Sequence, residues 1–251
     1  MRSWLAAALA AGVTALASPA LADPDALWNI VNGACAPNQQ AKHDPSPCLS
    51  VDLAGGYAVL KDQVGATQVL VIPTTRISGI ESPALEDPAT PNFWADAWKA
   101  RREVEQLAHR DIPREDIALA VNAVYARSQD QLHIHVDCIR PEVRDALNMA
   151  EDRIGESWKP LDIALAGHRY RAMRLAGEDL GDRDPFKLLA DSDPTARAEM
   201  GLETIVVAGA VFFDGSPGFI LLSDRAEASN HDPAGGEALM DHSCQVLRPA
   251  A

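Results

Sequence analysis

Between Gln131 and Ile139 apolar and polar residues alternate singly: Leu132, Ile134 and Val136 interleave with Gln131, His133, His135 and Asp137. Successive side chains of a strand point to opposite faces, so this pattern predicts a strand with one aliphatic face and one face that carries two imidazoles. Alternation or short apolar runs predict further strands over 53–61, 67–73, 117–123, 168–175, 204–213 and 218–223. The first two, joined by the polar turn 62–65, read as a hairpin. Over 92–109 the period lengthens, and Trp94, Ala97, Trp98, Val104 and Ala108 fall near one side of a helix, with Thr90 as its expected N-cap and Pro91 at its first position. Shorter helices are expected over 25–33, closed by Gly33, from Pro141 to Ile154, and from Pro185 to Ala190 behind Asp184.

The order strand, strand, helix, strand, strand points to an α+β fold: an antiparallel sheet with helices packed on one side. The second half echoes that order, and Glu237–Cys244 reads as a worn copy of Gln131–Cys138. Two fused halves, 50–155 and 156–251, therefore compete with a single undivided domain over 23–251. No low-complexity linker separates the halves.

Composition changes this picture at the N-terminus. Met1-Arg2, an Ala-rich apolar run from Trp4 to Ala17 and Ala20-Leu21-Ala22 before Asp23 read as a secretory signal over 1–22. A retained membrane anchor is the alternative, since about 20 apolar residues span a bilayer. The net charge of −14 argues against nonspecific nucleic-acid binding, so an anionic ligand must be met by local donors. Four cysteines in an exported chain permit two disulfides. Cys35 and Cys48 flank a loop rich in Pro, Gln and Asn and are expected to pair, which leaves Cys138 with Cys244; buried free thiols are the alternative.

A strand-held imidazole can serve as nucleophile, general base or metal ligand. Ser128, in the turn that enters the histidine strand, can donate a hydrogen bond, and Asn122 ends the preceding strand. Arg127, Arg140 and Arg144 bracket the strand with positive charge suited to phosphate oxygens. The plainer readings are that Ser128 caps its turn, Asn122 is a turn residue and the arginines pair with Glu142 or Asp145. The large aromatics Phe93, Trp94 and Trp98 are candidates for contact with an apolar substrate, although core packing is the more ordinary role for the tryptophans.

Ile117-Ala-Leu-Ala-Val-Asn122, a polar turn and Ser128-Gln-Asp-Gln-Leu-His133-Ile-His135-Val together resemble the histidine-triad (HIT) superfamily, which acts on nucleotide phosphates. Val71-Ile-Pro-Thr-Thr-Arg76-Ile-Ser-Gly-Ile80 is similar to a strand-end segment of that superfamily in which a proline precedes a basic residue. More closely, Gly55–Asp62, Pro73–Pro83 and Gln131–Pro141, with the early cysteine pair and Asp241-His-Ser-Cys244, resemble the CDP-diacylglycerol pyrophosphatase family over the whole mature chain. This resemblance implies a HIT-like fold, hydrolysis of CDP-diacylglycerol to CMP and phosphatidate, and work at a membrane surface on the periplasmic side of the inner membrane. It implies no cofactor or metal, and either a monomer whose halves imitate a dimer or a homodimer.

The superfamily pattern places Gln131 at the first histidine position, His133 at the attacking position and His135 at the third, with Ser128 on phosphate. Glutamine for the first histidine is a departure that removes a group able to carry charge. An alternative register makes His135 the attacking residue and Asp137 the third. Asn122, Arg127, Arg76, Arg140 and Arg144 are the expected substrate contacts. Two other functions compete: a hydrolase of soluble nucleotide diphosphate esters, and a metal-binding protein that uses His133, His135 and either His43 or His242.

Overall fold

The alternating segments pair into one antiparallel sheet of nine strands; the computed structural model describes residues 23–227, 229 and 231–247. The expected leader, 1–22, lies outside the described residues. The chain opens with α1 (Ala26–Ile30), a π-helical turn over Val31–Cys35 and α2 (Ala36–Lys42). Then come β1 (Ser50–Asp52), β2 (Tyr57–Lys61), β3 (Val69–Pro73), α3 (Phe93–Ala108), β4 (Ile117–Val121), β5 (Ile134–Cys138) and α4 (Pro141–Ala150). The remainder is β6 (Lys159–Leu165), β7 (His168–Ala176), α5 (Pro185–Ser192), α6 (Pro194–Ala198), β8 (Glu203–Val211) and β9 (Pro217–Arg225).

The strand order is β1-β2-β3-β5-β4-β8-β9-β7-β6. Each half contains a hairpin, one or two helices and a second hairpin, and the halves meet where β4 pairs with β8. The place that β5 holds in the first half is held in the second by β9. Glu237–Cys244 is thus not a strand copy of Gln131–Cys138: it forms a 3-10 turn over Gly236–Leu239 and meets β5's end through the single bridge Ile139–Met240.

Helices cover both faces of the sheet, not one. The first face packs Val69 and Val71 of β3, Ile117 and Leu119 of β4, and Ile134 and Val136 of β5 beneath α3, α5 and α6. Phe93, Trp94 and Trp98 are buried there, at 3%, 0% and 1% exposure, so they are core and out of reach of a substrate. On the second face, Val143, Leu147 and Ala150 of α4 press on the small residues Ala118 and Ala120, while α1 and the π turn cover Leu70 and Ile72. Strands buried on both faces explain why Val69–Pro73 and Ile117–Val121 are unbroken apolar runs.

Several ends differ from the expectation. Asn92, not Thr90, caps α3, because its Oδ1 accepts from the N–H groups of Trp94 and Ala95. Gly33 does not stop the first helix, which continues through the π turn to Lys42 and ends on His43 in a left-handed conformation. Asp184 caps α5 through Phe186 N–H, as its position before Pro185 predicts. Both expected disulfides form: Cys35–Cys48 ties the helical segment to the loop before β1, and Cys138–Cys244 ties the C-terminal segment to β5.

Candidate active site

β5 begins at Ile134, three residues later than the alternation suggests. The reason lies in Gln131, which is fully buried and donates through Nε2 to the carbonyls of Pro73 (3.1 Å) and Thr75 (3.0 Å). That clamp replaces a strand ladder, and His133 consequently sits at the mouth of the strand. The side-chain parity survives: Leu132, Ile134 and Val136 enter the core, while His135 and Asp137 keep to the other face.

His133 and His135 line a cavity of about 520 Å³ together with Asn122, Arg127, Ser128, Asp62 and Glu237. Their rings meet edge to face with centroids 4.9 Å apart. Nδ1 of His133 lies 2.7 Å from the carbonyl oxygen of Gln131, which can only accept, so Nδ1 carries the proton and donates it. Nε2 then holds a lone pair and has no hydrogen-bond partner among the described residues. Burial pushes the His133 pKa down to about 4, and the neighbouring His135 adds to this. At neutral pH the ring is therefore a free base with an available nitrogen.

His135 is oriented from behind. Its Nδ1 is 3.1 Å from Glu237 Oε1 and 3.2 Å from Gln68 Nε2. Gln68 Nε2 donates to Asp62 Oδ2 at 2.6 Å, which fixes the amide as a donor on that side. Because Gln68 Nε2 is a donor, Nδ1 of His135 accepts from it, and in the neutral ring Nε2 carries the proton. The His135 pKa is lowered, with burial outweighing the attraction of Asp62. Its Nε2 is buried and lacks a partner among the described residues.

Glu237 ties the site together. Its Oε2 accepts from Asn122 Nδ2 at 2.6 Å, and its N–H donates to Asn122 Oδ1 at 3.3 Å. It reaches this place because Gly236 has no side chain: a Cβ there would lie 2.8 Å from Thr204 Oγ1 and 2.9 Å from Val206 Cγ2. Behind it His242 donates from Nδ1 to Asp137 Oδ2 at 3.0 Å, while Nε2 is 3.8 Å from Glu237 Oε1. The Asp137 hydrogen bond raises the His242 pKa. Fully buried Asp137 also accepts from Thr67 Oγ1 at 2.7 Å.

Of the expected residues, the structure brings His133, His135, Ser128, Asn122 and Arg127 to one cavity. Arg127 spends its guanidinium on a two-pronged contact with Glu81, at 2.6 and 2.8 Å. Arg76 pairs with Asp25 and lies over the Trp28 ring, and it does not line the cavity. Arg140 and Arg144 lie past the far end of β5 and outside the cavity. Arg140 donates to the Met240 carbonyl and stands 3.8 Å from Glu142, while Arg144 pairs with Asp116 and Asp145. The cation that does line the cavity besides Arg127 is Lys61, whose Nζ donates to the carbonyl of Gly65 at 2.9 Å.

His133, His135 and His242 do not form a three-ligand cluster with His43, which sits at the end of α2. Among the described residues two groups have converging ligand atoms. One, Asp137–Cys138–Cys244, has its sulfurs in a disulfide, and the other, His168–Asp224–Asp232, lies elsewhere on β7, β9 and the loop after it. Nor, among the described residues, is any helix long and apolar enough to cross a membrane.

Residues 22–248 match the model of the family described as CDP-diacylglycerol pyrophosphatase. A curated relative of that name from Yersinia pestis is 42% identical over 223 residues, covering 89% of this chain and 85% of the relative.

Proposed function

The chain belongs to the CDP-diacylglycerol pyrophosphatase family and hydrolyses the pyrophosphate of that lipid nucleotide, and from that premise we propose that His133 is its nucleophile. The observation that carries the proposal is the 2.7 Å contact from His133 Nδ1 to the Gln131 carbonyl, which leaves Nε2 as the unprotonated atom at the cavity. Nε2 attacks the cytidylyl phosphorus, the bond from that phosphorus to the bridging oxygen breaks, and phosphatidate departs with the oxygen. Water then attacks the phosphorus of the nucleotidyl-histidine, releasing CMP and restoring the imidazole.

Gln131 in place of a first histidine fits this scheme as a positioning residue. Its carbonyl orients His133, and its amide anchors the strand entrance to Pro73 and Thr75. His135 Nε2–H, buried and without a hydrogen-bond partner among the described residues, is a donor for the nonbridging oxygens in the neutral ring. Ser128 and Lys61, both at the cavity, supply further donors to the phosphates. Phosphatidate is a phosphate monoester and a good leaving group, so the scheme asks little of a general acid.

The sheet order supports a reading of the chain as two fused HIT-like halves. On that reading β4 and β8 form the seam of an internal dimer, and a monomer suffices. The apolar run at 4–17 and the two disulfides support export, with the enzyme working at the periplasmic face of the membrane that holds its substrate.

The depressed pKa sets a test. Protonation removes the attacking lone pair, so activity belongs to the basic form and is lost as pH falls through the folded pKa. With that value at about 4, kcat/KM should stay level from pH 8 to about 5 and then decline, and an added chelator should leave the profile unchanged. An acid limb near the ordinary imidazole value of about 6.5 would contradict a buried, free-base nucleophile.

A further inference from the structure

The cavity that holds the histidines has a second kind of lining: Ala26, Leu27, Ile30, Leu60, Val64 and Leu70. The sheet register shows how the two kinds join. His135 pairs with Leu70, and Leu70 pairs with Leu60, so these three side chains form a row across β5, β3 and β2 on one face. Strands lie about 4.8 Å apart, so the surface turns from polar to aliphatic within roughly 10 Å of His135. α1 packs over this row through Leu27 and Ile30. Val64, at the tip of the β2–β3 turn, is 57% exposed.

The segment that carries α1 is fastened to the loop bearing Ser128. Gln129 Oε1 accepts from Leu27 N–H at 3.0 Å, Gln129 Nε2 donates to the Asp23 carbonyl at 2.9 Å, and Asp130 N–H donates to the Pro24 carbonyl at 2.7 Å. Asp23 itself lines the cavity.

We propose that this aliphatic wall, formed by Ala26, Leu27 and Ile30 of the first helical segment with Leu60, Leu70 and Val64, receives the diacylglycerol part of the substrate and makes the enzyme prefer lipid-linked over soluble CDP esters. The proposal rests on the reading of His133 only in that the attacked phosphorus must lie beside the histidines. Phosphatidate then leaves along the side of the cavity that is already apolar, while the cytidine remains on the polar side. Phe93, Trp94 and Trp98, sealed in the opposite core, take no part.

The test compares kcat/KM for long-chain CDP-diacylglycerol in mixed micelles with kcat/KM for CDP-glycerol, which presents the same pyrophosphate without acyl chains. Val64→Asn and Ile30→Gln should each lower the lipid-to-soluble ratio by about tenfold, the scale on which apolar pockets discriminate. Val64→Asn alters an exposed turn and is the variant that stays folded; a thermal melt checks Ile30→Gln. A ratio equal to that of the wild type in Val64→Asn overturns the lipid wall. It leaves the role of His133 standing, because that role is read from CDP-glycerol turnover in the wild-type and His133→Ala proteins.

Discussion

His133→Ala is expected to lower kcat by about 10⁴-fold or more while leaving the protein folded. A nucleophile that forms the covalent intermediate has no substitute, and groups that act as a unit with it cannot recover the loss. The fold tolerates the change because His133 sits at the strand mouth, and the clamp that holds the strand there belongs to Gln131. Removing the ring frees one carbonyl, that of Gln131, next to a cavity that water can enter. A melting temperature within a few degrees of the wild type, with turnover at background, is the expected pair of results. Retention of more than a tenth of wild-type kcat would contradict the assignment.

Glu237→Ala is expected to lower kcat/KM by about 10²-fold, equivalent to about 3 kcal/mol of transition-state stabilisation. The substitution strips the acceptor from Asn122 Nδ2 and removes the carboxylate that stands 3.1 Å from His135 Nδ1. The orphaned Asn122 donor costs about 1–3 kcal/mol. Gln68, which loses a 3.5 Å contact with Glu237 Oε1, and Asn122 are then free to shift, and His135 loses the support that holds its ring toward the phosphate. Glu237→Gln keeps an acceptor oxygen for Asn122 Nδ2 and should fall between the wild type and Glu237→Ala. Steady-state kinetics on CDP-diacylglycerol check both, and a Glu237→Ala enzyme within twofold of wild type would remove Glu237 from the account.

Much of the first half was legible from patterning, because a strand with one buried face and one site face writes itself as strict alternation. The parity of His133, His135 and Asp137 came directly from that. The buried runs Val69–Pro73 and Ile117–Val121 carried a further message, coverage on both faces, which the expectation of helices on one side left out. β6 was not anticipated, since Pro160 near its start and the register shift after it break the alternation.

The site was half legible. Asn122 and Ser128 lie close in sequence to the histidines, whereas Glu237, Gln68 and Asp62 arrive through tertiary structure. Asp62 and His242 fell inside segments recognised by likeness; Asp62 was given no role, and His242 only that of a ligand in the competing metal-binding reading. One signal was available for His242: a Cys138–Cys244 bond places the C-terminal segment against β5 and so brings His242 near Asp137. The arginines misled because charge near a strand in sequence says nothing of which end faces the cavity. Arg140 and Arg144 follow the strand, and their carboxylate partners take them away from the histidines.

The measurement that bears most directly on the central claim is capture of the covalent intermediate. Wild-type enzyme mixed with CDP-diacylglycerol carrying radiolabel in the cytidylyl phosphate, quenched in base, reduced and cleaved after its basic residues, should yield a labelled peptide spanning Ser128–Arg144. Fragmentation of that peptide should place the cytidylyl group on His133, and the label should vanish in His133→Ala but survive in His135→Ala. A cytidylyl group found on His135, or full turnover by His133→Ala with no adduct at all, would contradict the mechanism.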